Sequence, residues 1–231
     1  MEATYFCVVL IQKTEKMKQI GLATVGSVLL SVGVMAEGSE NDIVTYEVIS
    51  ERSNVVWTGK KVTGKHYGNV SIKKGEIVVQ DGSVSKAELV LDMNTITNTD
   101  LTDKQWNKKL VDHLKSDDFF SVEKHPHVTF VLTDFSQAED NDGNDPKYII
   151  AGDLTIKGIK HQISFPAAIE VNNSMLTAKG SVKIDRTKYD IRYGSGSFFK
   201  GLGDNMIYND FEIEFELVAE ISDSKLEVVE Q

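Results

Sequence analysis

The chain has one cysteine, Cys7, and it lies upstream of the point where the mature protein is expected to begin. A mature chain without cysteine has no structural disulfide, no thiol nucleophile and no cysteine-ligated zinc. It also has no thiol after the apolar run to carry a lipid anchor. Clusters of Lys and Arg are missing as well. Formal net charge is −10, and no basic run is dense enough to track phosphates, which excludes nucleic acid as a partner. The same balance works against an anionic lipid surface. Any lipid chemistry therefore belongs in a pocket, not on a membrane-binding face. Catalytic loops are absent too. The Gly-rich stretch 194–203 has neither dinucleotide nor P-loop spacing, and Gly194-Ser195-Gly196-Ser197 is not a nucleophile elbow. It reads as a loop or rim.

A long uncharged run stands out at 20–34, behind Met17 and Lys18. Lys18 supplies a positive start, and Val34-Met35-Ala36 fits a small-residue cleavage site, placing the mature start near Glu37. The run is shorter than the ~20 residues of a spanning helix, which favours export over a membrane anchor or a buried strand. Residues 1–36 are expected to be a signal peptide, with Met17 a candidate true start. Residues 37–220 are expected to be one β-barrel domain, and 221–231 a tail. No integral membrane segment is expected in the mature chain, and the oligomeric state, a homodimer included, is left open.

What the body does have is alternation. Strand signals recur at 54–61, 66–72, 76–80 and 87–93, with turn residues at Lys74-Gly75 and Asp81-Gly82. In 87–93 the inward set is Ala87, Leu89, Leu91 and Met93. Val128, Phe130 and Leu132 alternate with Thr129, Val131 and Thr133, and Tyr148, Ile150, Leu154 and Ile156 lead through a Lys157-Gly158 turn into Ile159, Ile163, Phe165 and Ile169. Clearest is 211–217, where Phe211, Ile213, Phe215 and Leu217 interleave with Glu212, Glu214 and Glu216. A period of two puts apolar residues on one face and carboxylates on the other. A slip of one residue would bury three carboxylates, so the register is strongly set. About eight such strands close most economically as a barrel without exposed edges. One short helix is expected over 102–115, with Thr102 and Gln105 as a capping box and Trp106, Leu110 and Leu114 as its apolar stripe. A barrel of this size either fills itself or holds one small ligand. Gly152 and Gly180, on inward phases, point toward space inside.

Polar candidates each have a plain alternative. His125 and His127, two apart, form a two-point ligand set, but a zinc site takes three or four ligands and spacing shows no third. No metal is expected. His161 falls on an inward phase, as a satisfied core histidine or a contact for a ligand head group. Asp117-Asp118 reads as turn residues or as a carboxylate pair. Asp185-Arg186 reads as an ion pair at the barrel rim, or as an arginine that receives a phosphate.

Several segments carry a resemblance when taken in order: SNVVWTGK at 53–60, KHYGNV at 65–70, DHLKSDDFF at 112–120, EKHP at 123–126, GDLTIKG at 152–158 and IDRT at 184–187. Over 44–220 the chain resembles the YceI-like family of periplasmic, polyisoprenoid-binding barrels. His125 departs from the pattern, where an aromatic such as Tyr is expected. The resemblance implies an all-β fold: an extended, antiparallel, lipocalin-like, eight-stranded barrel. It implies a non-enzymatic periplasmic protein without a cofactor, holding a prenyl quinone or polyprenyl phosphate in an apolar channel for transport, storage or sequestration. Carried over by strand phase, the lipid-binding residues are Trp57, Leu89, Leu91, Phe130, Leu132, Ile150, Leu154 and Ile156, with His161, Ile163, Phe165, Val182, Phe211, Ile213 and Phe215. Two alternatives stay open. One is an enzyme acting on a lipid or small amphiphile through His161, His113 or Asp117 at the channel mouth. The other is a filled barrel with a structural or redox-chain role.

Overall fold

Alternation along the chain becomes ten strands in the computed structural model, which describes residues 42–138, 148–172 and 174–222. The expected signal peptide, its cleavage site, Cys7, and nearly all of the expected tail lie outside the described residues. The strands are β1 (Ile43–Val48), β2 (Asn54–Lys61), β3 (Gly64–Asn69), β4 (Ser71–Gln80), β5 (Ser83–Asp92), β6 (His127–Gln137), β7 (Tyr148–Ile156), β8 (Ile159–Asn172), β9 (Met175–Asp185) and β10 (Ile207–Ile221). They form one sheet in the order β1-β4-β5-β6-β7-β8-β9-β10-β2-β3, all named pairings antiparallel.

The sheet closes where β1 also pairs with β10, setting Tyr46 opposite Ile221 and Val48 opposite Ala219. β1 and β4 through β10 are thus the eight strands of a closed barrel, which leaves no outer edge in the ring. Length explains the two extra strands. β10 spans 15 residues, so its end pairs with β1 while its earlier part pairs with β2, and β9 runs along its other side. The β2–β3 hairpin is an extension of the wall beyond β1.

Turn chemistry sets the hairpins. Asp81 and Gly82 have φ of 51° and 78°, and Lys157 and Gly158 have 52° and 74°, the left-handed pair that matches strand twist in a two-residue hairpin. Lys74-Gly75 is different. It is no turn: β4 runs straight through it, with a bulge between Ile72 and Lys74. The extra residue moves the inward phase from Ile72 to Gly75, Ile77 and Val79. A Cβ on Gly75 would sit 2.5 Å from Val48 Cγ2 and 3.0 Å from Leu89 Cδ1, so a bare backbone is needed for those side chains to meet.

Helix α1 (Lys104–Lys115) starts one residue later than the capping box suggested. Asp103 is the cap, its carboxylate accepting from the Gln105 and Trp106 amides. Its apolar stripe is also shorter. Leu110 and Leu114 pack on the core, whereas Trp106 is 59% exposed with Lys109 Nζ 5.0 Å from its ring centroid. The helix lies at the barrel end opposite the Asp81-Gly82 turn. Leu114, Val122, Tyr189 and Ile191 seal that helix end, and Tyr46, Leu176 and Ala219 belong to the same core.

A candidate binding cavity inside the barrel

Inward residues of successive strands meet around an internal cavity of about 1290 Å³, counted with its open mouth. From β5 come Leu89 and Leu91, and from β6 Phe130 and Leu132. β7 adds Ile150, Leu154 and Ile156, and β8 adds Ile163 and Phe165. Val182 on β9, Phe211, Ile213 and Phe215 on β10, and Trp57 on β2 complete the set expected from strand phase. Every one of those residues except His161 lines the cavity. The register explains the agreement: Ile213 sits opposite Val182 on one side and Trp57 on the other, so three strands turn the same face inward.

His161 is on the inward phase of β8 but outside the cavity wall. Its Nε2 is 3.0 Å from the Lys188 carbonyl oxygen, and its ring meets Tyr189 edge-on at 5.2 Å. This histidine is spent on closing the helix end and is not free to meet a head group.

Aromatic rings take part of the interior. A Cβ on Gly152 would lie 2.5 Å from Phe130 Cε2, and one on Gly180 would lie 2.7 Å from Phe215 Cζ. Both rings therefore rest on bare backbone, and Phe165 bridges them, with centroids 5.7 Å from each. The two glycines seat wall aromatics; the space they release is filled by protein, contrary to the expectation that it lies open. Trp57 also faces the cavity while its indole Nε1 donates to the Thr97 carbonyl at 2.9 Å, so its polar atom is satisfied in the wall.

Other wall residues were hidden from sequence phase. Phe135 reaches the cavity because a bulge between Leu132 and Asp134 flips the inward parity of β6. Phe120 and Ile96 come from segments outside the strands, where alternation carries no information. Among the described wall residues Glu88 alone is charged, and no Lys, Arg or His joins it.

The polar candidates do not converge. His113 Nε2 is 3.2 Å from Asp118 Oδ2, and its ring sits between Phe119 and Tyr193 at 4.8 and 4.5 Å. Asp117 accepts from Ser121 Oγ and from Lys124 Nζ; the lysine and then the hydroxyl hold its carboxyl below the usual range. His127 Nε2 accepts from Lys73 Nζ at 2.7 Å. None of these side chains lines the cavity, and the described residues contain no group of three potential metal ligands.

Arg186 corrects another expectation. It does not pair with Asp185, whose carboxylate is occupied by the Thr187 amide and hydroxyl at 2.9 and 2.6 Å. Instead the guanidinium, 4% exposed, donates to the carbonyls of Tyr208, Ile191 and Ile207 at 3.0, 2.8 and 3.1 Å. Burial lowers its pKa, with Asp185 acting the other way. A fork of fixed donors ties the 186–191 turn to the start of β10. With all of these donors engaged, it has no role as a phosphate receptor.

Closed ring, apolar cavity and one α-helix among the described residues define a lipocalin-like β-barrel with an internal ligand-sized space. Residues 46–219 match the YceI-like domain, most of the chain, and the chain belongs to that family. Its fold is similar to the crystal structure of BcnA from Burkholderia cenocepacia and to the structure of a polyisoprenoid binding domain from Saccharophagus degradans implicated in plant cell wall breakdown. BcnA is 24% identical with a TM-score of 0.57, over 74% of this chain and 98% of that one. The Saccharophagus domain is 12% identical with a TM-score of 0.55, over 78% and 99%. No curated protein matches the chain. No helix among the described residues is long and apolar enough to cross a membrane.

Proposed function

We propose that this protein is a non-enzymatic carrier or store that holds one polyisoprenoid lipid, a prenyl quinone or polyprenyl phosphate, in the barrel cavity. The observation that carries this reading is a wall built from apolar side chains of nine strands, β1, β2 and β4 through β10, with no convergent polar set among the described residues. Apolar burial returns roughly 25 cal/mol per Å², and a chain of several isoprene units offers several hundred Å². Ordering a flexible tail gives part of that back, leaving useful affinity without specific polar contacts. The similarity to a polyisoprenoid binding domain supports the class of ligand. The signal-like segment at 1–36 supports a periplasmic setting.

Native mass spectrometry of protein purified from its own compartment, followed by organic extraction, tests the reading. A co-purified adduct with isoprenoid mass spacing is expected. Supplying a prenyl quinone at a hundredfold over its Kd should add about 2.7 kcal/mol of stability. A clean apo mass, with no thermal shift on adding either lipid class, overturns it.

A further inference from the structure

Hydrogen bonding around the barrel is uneven, and the cavity follows the unevenness. β5 has ten residues and β6 eleven, yet they pair only from Glu88 opposite Val131 to Asp92 opposite His127. Beyond that point, among the described residues, β5 continues through 83–87 paired with β4 alone, and β6 continues through 132–137 paired with β7 alone. Both strands carry a bulge where they part. One shifts β5 between its pairs with Val78 and Val79, and the other shifts β6 between Leu132 and Asp134. Bulges bend a strand and increase its local twist, which carries the two edges away from each other.

The cavity reaches both lips of this split. Val84 and Ala87 line it from β5, and Leu132 and Phe135 line it from β6. Glu88, at the last paired position, stands on the outward phase between Ala87 and Leu89; it borders the cavity through apolar atoms alone, and its carboxylate belongs to the outer side of the lip. Elsewhere a long seam also separates: β8 and β9 pair only from Ala167 to Asn172. That gap is plugged by the 186–191 turn, through the contacts of His161 with Lys188 and Tyr189.

We propose that the lipid passes through the side of the barrel, between 83–87 of β5 and 132–137 of β6, with Glu88 as the threshold beside which its head group rests. This rests on the lipid-carrier reading above. Glu88 faces Glu76 in register on β4, and Lys86 is engaged by Glu76 at 2.9 Å, so the three groups together leave one negative charge at the lip. Asp134 adds another on the β6 side. Lys74 also acts on Glu76, yet Glu76, Glu88 and Asp134 outnumber Lys74 and Lys86 and no cation among the described residues lines the cavity, so an anionic head group meets net repulsion at the lip. The portal therefore selects a neutral, quinone-type head over a phosphate.

Kinetics of a farnesyl-tailed benzoquinone read the portal directly. Its arrival quenches Trp57 in the wall, and a Trp106→Phe, Cys7→Ser full-length background removes the exposed indole and the native thiol. Ser85→Cys with Thr133→Cys places thiols on the two exposed lips, to be bridged by a reducible bis-maleimide. Bridging is expected to slow both association and release at least about tenfold, with recovery on reduction. The same linker across the fully paired β7–β8 seam, at Asp153→Cys and Gln162→Cys, should leave both rates unchanged. Farnesyl phosphate, read by displacement, should bind more weakly than the quinone, and Glu88→Gln should narrow that preference about fivefold. Quinone binding with rates untouched by the lip bridge overturns the portal alone, and an unchanged preference in Glu88→Gln overturns the threshold. Absence of quenching in the unbridged protein overturns the carrier reading and the portal with it.

Discussion

Gly152→Ala is the sharpest perturbation of the wall. A Cβ at this position would stand 2.5 Å from Phe130 Cε2 and 2.6 Å from the Val131 carbonyl oxygen. The ring can swing away, but only into the cavity, giving up its tilted contact with Phe165 at 5.7 Å. The carbonyl is held in the sheet and cannot move without straining the β6–β7 ladder. Overpacking of this kind costs about 1–3 kcal/mol. Taking about 2 kcal/mol, the melting temperature of a barrel this size should fall by about 4–8 °C. Thermal and urea unfolding followed by circular dichroism would measure it, with Gly64→Ala as control, since nothing lies within 4 Å of a Cβ there. Adding Phe130→Leu to Gly152→Ala should recover part of the loss, because the ring clash goes and the carbonyl clash stays. A Gly152→Ala variant as stable as Gly64→Ala would refute the seating of Phe130 on bare backbone, and with it the shape assigned to the cavity.

Three further perturbations test the closed end and the polar supports. Arg186→Met should cost about 3 kcal/mol in urea unfolding, because one buried and two part-buried carbonyls lose a charged donor, and Arg186→Lys should not restore it, a point charge being unable to replace the planar fork. Tyr189→Phe should raise stability by about 1 kcal/mol, since the hydroxyl is buried without a partner among the described residues; burial pushes its pKa to about 12, so it stays protonated throughout, and a loss of stability would show a bond to this hydroxyl. Asp100 loses solvation, which raises its pKa, but bonds from the Tyr67 amide, His66 and Asn98 outweigh that and hold it below the ordinary carboxylate range. Its contribution is therefore fully present above about pH 4 and lost as pH falls through the lowered folded value. Wild type should lose more stability than Asp100→Asn on acidification below pH ~4, and parallel acid curves would refute the role of the carboxylate.

Much of this molecule was legible residue by residue, because the properties concerned are local. Strict alternation at 211–217 set one face of β10 against the other, and the Asp81-Gly82 and Lys157-Gly158 pairs supplied the left-handed residues that two hairpins need. The same parity placed every expected wall residue except His161 on the cavity. Where local signals competed, the reading moved by a residue: Asp103, not Thr102, caps the helix, since its carboxylate reaches the second and third helical amides.

Tertiary structure decided what depends on pairs of strands. A bulge is a mismatch between two partners, so neither the continuation of β4 through Lys74-Gly75 nor the turn of Phe135 into the cavity was written in one strand alone. Arg186 found carbonyls from the distant start of β10 in place of its neighbour Asp185, whose carboxylate is engaged by Thr187. Gly152 and Gly180 announced missing side chains, but the rings that occupy their space come from other strands. How far each seam stays bonded is likewise a property of the closed ring. Alternation determines which face of a strand is dry; only the assembled barrel determines where its wall is whole and where it parts.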